Sequence, residues 1–166
     1  MIFRLSQKLN TKLKAGSLYT LPLDDNRVAD WSANLFVADR MQYIILSNTT
    51  SLYSTVLHGK GIANDRQFVE RALGSLREFL EADGQAFVYH RFIVPASGKV
   101  SFAKALNRSI TGSMNDLVVH AKMWLTEGEW SPFDVSLKLN DIPFSSLKLV
   151  NPREAFLGLV NPCDEA

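Results

Sequence analysis

The residues best suited to chemistry lie close together, between 104 and 120: Lys104, Arg108, Ser109, Gly112, Ser113, Asn115, Asp116 and His120. Ser113 with Asp116 three residues later reads as the N-cap of a helix, which predicts a helix over 114–126. The amides at such a start have no intrahelical partner, and the helix dipole adds partial positive charge there. Gly112 would admit a ligand close to the backbone, Ser109, Thr111 and Ser113 would donate hydroxyls, and Arg108 would grip a phosphate or carboxylate with two parallel bonds. The chemistry expected is therefore anion binding, to a phosphate group or a nucleic-acid backbone, with Arg108→Ala weakening it. A purely structural use of the same residues is the competing reading: a capped helix, a turn at Gly112, and Arg108 paired with an acid. The segment is neither a P-loop nor a dinucleotide fingerprint, since the glycine spacing of both is missing.

An enzymatic alternative uses Asp116 and His120 as acid and base, with Asn115 and Arg108 beside them, in a hydrolase or nuclease. Both side chains point away from the apolar stripe of the predicted helix and would face solvent together. No nucleophile elbow and no Cys/His pair supports it. Asp24-Asp25 lies in a loop without a partnered acid. His58, His90 and His120 are not spaced as metal ligands, so neither a metal site nor a cofactor is expected. The loop His58-Gly59-Lys60-Gly61 reads as an exposed turn. Trp31 and Trp124 read as core, and Trp130 as a loop residue.

The 166 residues carry 18 Lys+Arg against 17 Asp+Glu, a formal +1 that names no partner. The distribution is less even. Residues 1–14 hold Arg4, Lys8, Lys12 and Lys14 with no acid, a local +4. Residues 99–122 hold Lys99, Lys104, Arg108 and Lys122 against Asp116, a local +3, and residues 126–166 hold three bases against seven acids, a local −4. Such asymmetry predicts one anion-facing side. A single cysteine, Cys163, excludes an internal disulfide, and no apolar stretch approaches the ~20 residues that span a bilayer. The expected compartment is the cytoplasm, away from membranes.

The positioning elements follow from periodicity. Residues 2–5 read as a short strand, and Ser6 then caps a helix carrying Leu9 and Leu13, before a loop over 17–30. Alternation over 31–37, an apolar run over 42–46 and alternation over 52–57 predict a three-stranded antiparallel meander. Residues 65–82 carry one apolar stripe behind Asn64 as N-cap, a long helix. Residues 86–94 fit either helix or strand, and a strand follows over 100–103. Ser131-Pro132 and Asn151-Pro152 each predict a short helix. The fold expected is α+β: a mainly antiparallel sheet, the meander plus flanking strands, with two long helices and the short C-terminal ones covering one face. Residues 1–166 are taken as one domain, with 127–166 a helical or irregular extension.

The stretches Trp31-x-Ala33-Asn34-Leu35 and Asn107-Arg108-Ser109-x-x-Gly112-Ser113-Met114-Asn115-Asp116 together resemble an uncharacterised prokaryotic domain family of unknown function, over roughly residues 1–125 and on to Asn140-x-x-Pro143. The resemblance implies a more helical 86–94, and it implies no activity, substrate or catalytic residue. A non-catalytic binding or regulatory module is the function expected. Besides the enzyme, a protein–protein module is the remaining alternative: a homodimer, or a chain docking a protein partner through Phe133, Phe144 and Phe156 in its acidic tail.

Overall fold

Alternating side chains along Asp30–Ala38 send Trp31 and Ala33 to one side and Phe36 and Ala38 to the other, and both sides find apolar partners. The structure, a computed structural model, describes residues 1–161; Cys163 lies outside them. This central strand, β2, lies between β1 (Ile2–Leu5) and β3 (Met41–Asn48). With β4 (Ser54–His58) and β5 (Ser101–Ala103) at its two edges, the sheet has five strands in the order β4-β3-β2-β1-β5. The meander is present as expected. Asp39 and Arg40 close its first turn at φ 46° and 65°, the left-handed pair that a two-residue hairpin requires.

The sheet is mixed rather than mainly antiparallel. β1 runs parallel to β2 and to β5, so two of the four pairings are parallel. Parallel neighbours need a crossover. Helix α1 (Gln7–Leu13) and the following loop supply it between β1 and β2; α2 (Asp65–Ala82) and the helical segment behind it carry the chain from one sheet edge to the other.

Helices also cover both faces, not one. Trp31, Ala33, Ile44 and Leu46 pack with Phe68, Ala72, Leu76 and Leu80 of α2. On the opposite face, Phe36, Tyr43, Ile45 and Val56 meet Met114, Leu117 and Ala121 of α5 (Arg108–Thr126) and Val135 and Leu139 of α6 (Pro132–Leu139). The reason is visible in β3, where Tyr43 to Leu46 are all buried: two apolar faces demand two covering layers.

Residues 86–96 are helical: α3 (Ala86–Val88), a π turn over Tyr89–Ile93, and α4 (Val94–Ala96). Pro95 sits inside this segment. The Val94 amide reaches back to Tyr89 O, a wider turn that relieves the clash a proline ring normally makes with the preceding helical turn. α5 begins at Arg108, not at 114. Asn107 is its N-cap, accepting from the Ile110 amide at 3.0 Å, and Ser113 is an interior residue. Asn107 offers the same cap chemistry six residues earlier, and one exposed Gly112 costs a helix only about 1 kcal/mol.

The tail packs on its own chain. Phe156 of α7 (Pro152–Val160) is fully buried, stacked 4.5 Å from Tyr53, and Phe144 is 8% exposed. Phe133 is half-exposed, edge-on to Phe79. The apolar anchors expected to meet a partner chain are thus largely spent inside. Tyr53 donates to Asp83 at 2.6 Å, and Arg153 of α7 bridges Asp83 and Asp141, clasping α7 to the end of α2.

Both sheet edges are partly covered by other parts of the chain. Along β4, Asn140 accepts from the Ser54 amide and donates to its carbonyl, each at 2.8 Å, while Ser136 Oγ accepts from the Val56 amide at 2.8 Å. Beyond β5, Tyr19 pairs with Ala103 and accepts from the Lys104 amide at 2.9 Å.

Candidate functional site

On the face covered by α5 and α6, those two helices reach only as far as β2. What is left over β1 and the Ser32–Val37 stretch of β2 is a groove of about 1040 Å³, walled by α5 on one side and by the start of α1 with residues 16–18 on the other. That size is at the upper end for a small-molecule site. Its wall along α5 runs from Ile110 to Lys122, roughly 18 Å at 1.5 Å per helical residue.

The groove's charge is one-sided. Arg4, Lys8, Lys104 and Lys122 line it, and no Asp or Glu does. Its apolar surface comes from Leu18, Leu35, Phe36, Ile110, Met114 and Val118, and its neutral polar groups include Ser32, Asn34 and Asn115. The two basic stretches of the sequence meet here, Lys8 from the first and Lys104 and Lys122 from the second.

Arg4 is structural rather than free. Its Nε and Nη2 donate to the two oxygens of Asp30, both at 2.8 Å, and its remaining N–H groups go to the carbonyls of Leu21, Pro22 and Lys104. Arg4 and Asp30 are both buried. The loop after α1 is thereby pinned across the sheet, which shapes the groove's floor. Asp30 Oδ1 also accepts from Thr49 Oγ at 2.7 Å, and Thr49 Oγ lies 2.9 Å from Ser32 Oγ. A carboxylate only accepts, so the Thr49 proton is committed to Asp30 and Ser32 must donate to Thr49. Ser32 Oγ is left with only lone pairs for the groove.

The residues singled out by the sequence are divided by this geometry. Lys104 and Asn115 line the groove. Arg108 and Ser109 are exposed in the first turn of α5, outside the groove, and Arg108 makes no ion pair among the described residues. Gly112 is a helix-interior residue facing open space, and Ser113 is buried with its hydroxyl 3.3 Å from Ser146. Neither approaches the groove. His120 places Nδ1 2.9 Å from the backbone carbonyl of Asp116, four residues back, and its ring lies against Trp124. That contact fixes a proton on Nδ1. Neither Asp116 nor His120 lines the groove. Among the described residues, no three His, Cys, Asp or Glu side chains cluster as metal ligands.

Ser32, Lys8 and Lys122 are lining groups that motif reading passes over, and Asn34 is named there only as part of a resemblance. Local charge marks the two lysines. The strand period marks Ser32 and Asn34 as one face of β2, but nothing in the sequence says that this part of the face stays uncovered.

The family model described as Domain of unknown function (DUF6933) matches residues 2–155. The chain belongs to that family. No curated protein and no solved structure matches it. The match extends past Asn140 and into α7, so this DUF6933 fold includes the helix that seals β4. Both stretches that carry the sequence resemblance contribute to the groove, Asn34 from the first and Asn115 from the second. No helix among the described residues is long and apolar enough to cross a membrane.

Proposed function

We propose that this chain is a non-catalytic binding module that holds an anionic organic ligand in the groove between α1 and α5. One observation carries the reading: besides Arg4, already neutralised by Asp30, three lysines outside any ion pair among the described residues line the groove and no carboxylate does, on a chain whose total charge is only +1. Opposite charge at that wall attracts an anion, and the apolar strip beneath rewards an organic body over a bare inorganic ion. The site of the helix-start hypothesis moves with it, from the amides around Gly112 to Lys104, Asn115 and their new neighbours. The cytoplasm is the compartment this reading assumes, supported by a composition with one cysteine.

The test is a titration with anilinonaphthalene sulfonate, an organic anion whose fluorescence rises on binding. The native chain should bind it saturably, with affinity falling as salt rises. The triple variant Lys8→Ala/Lys104→Ala/Lys122→Ala should lose about tenfold in affinity and most of the salt dependence. Equal binding and equal salt dependence in the two proteins would remove the proposal.

A further inference from the structure

We infer that the anion this groove accepts is a nucleotide: a phosphorylated, hydrogen-bond-donating heterocycle rather than a fatty carboxylate or a bare phosphate. The inference rests on the anion-groove reading above and adds the ligand's polarity pattern to it.

The floor supplies the first constraint. Because Thr49 is committed to Asp30, Ser32 Oγ presents an acceptor and no proton to the groove. A ligand seated there must bring its own O–H or N–H, as a ribose hydroxyl or an exocyclic amine does. An acyl chain or carboxylate brings none, and would leave the acceptor dry and unpaired, the costly outcome for a buried polar atom.

The walls supply the second. Asn34, two residues along the same face of β2, and Asn115 on α5 each offer a primary amide that forms no side-chain hydrogen bond among the described residues, and both line the groove. An amide pairs a donor with an acceptor, the complement of a base edge that alternates the two. Leu18, Ile110 and Val118, each only partly buried, give the apolar contact such a ring needs. A sugar phosphate satisfies the floor and the lysines and wastes this strip. Lys104 and Lys8 then meet the phosphate as point charges.

Isothermal titration of the intact chain with ATP, AMP, decanoate, inorganic phosphate and a ten-residue oligothymidylate decides it. The expected result is one saturable site for ATP or AMP, with decanoate and phosphate at least tenfold weaker. Asn34→Ala and Ser32→Ala should each weaken nucleotide binding about tenfold, and Arg66→Ala on the opposite layer should leave it unchanged. Circular dichroism verifies the fold; Asn34 is partly exposed, so its variant reports even where Ser32→Ala fails to fold. Tightest binding by decanoate overturns the nucleotide inference and leaves the anion groove standing. Tightest binding by the oligomer overturns it in favour of a nucleic-acid strand. Unchanged nucleotide affinity in both variants overturns it as well. No binding by any probe, anilinonaphthalene sulfonate included, brings down both readings.

Discussion

Arg4 and Asp30 face each other from neighbouring parallel strands, with the guanidinium 2.8 Å from each carboxylate oxygen and both groups out of solvent. An ion pair this deep costs heavily to desolvate and stabilises only because every remaining donor and acceptor is occupied. Removing one member strands the other. Arg4→Met should therefore destabilise the chain by about 3–5 kcal/mol in urea denaturation. Arg4→Met/Asp30→Asn should recover part of that loss, because no bare charge is left behind. A single variant as stable as the parent would show that the pair contributes nothing net.

Gly112 gives a sharp comparison between the two views of residues 108–113. As a turn residue or a ligand-approach site it would resist a side chain. As an exposed interior residue with nothing within 4 Å of an added methyl, it should welcome one. Gly112→Ala is expected to raise stability by about 0.5–1 kcal/mol. A fall in melting temperature would contradict the helix assignment there.

Lys104 and Arg108 separate the groove from the helix start. If the groove holds the anion, Lys104→Ala flattens the salt dependence of anilinonaphthalene sulfonate binding and Arg108→Ala leaves it nearly unaltered. The reverse ranking would return the site to the first turn of α5.

Tyr53 should make the folded chain sensitive to alkali. Burial, followed by its bond to the Asp83 carboxylate, pushes the phenol far above its ordinary value near 10. In the unfolded chain it ionises normally. The stability it contributes is complete below pH 10 and is lost as pH climbs beyond that point. Absorbance at the tyrosinate band should show this phenol ionising only with unfolding, and Tyr53→Phe should remove that step while costing about 1–3 kcal/mol at neutral pH.

Much of the fold was legible in local pattern. The caps at Ser6, Asn64, Ser131 and Asn151 each accept the amide that their position predicts, and the meander keeps its alternation. Pairings distant in sequence were not. Nothing in Ile2–Leu5 distinguishes a strand that will lie parallel to two others, because register is decided by where the crossovers land. The α5 boundary is ambiguous in sequence because Asn107 and Ser113 both carry cap chemistry, and packing of Ile110 against the same apolar cluster favours the longer helix. The site was half legible for the same reason. Its lysines show as charge excess, but its floor exists only because α5 and α6 stop at β2.

Asn140 and Ser136 on one flank, and Tyr19 on the other, cap part of each outer strand, so a foreign backbone finds a shortened template there. Strand addition at the two outer strands is thereby disfavoured, and with it one route to fibrous aggregation. An Asn140→Ala chain, with the Ser54 amide and carbonyl left bare on the outer strand, should be the variant that begins to precipitate on storage.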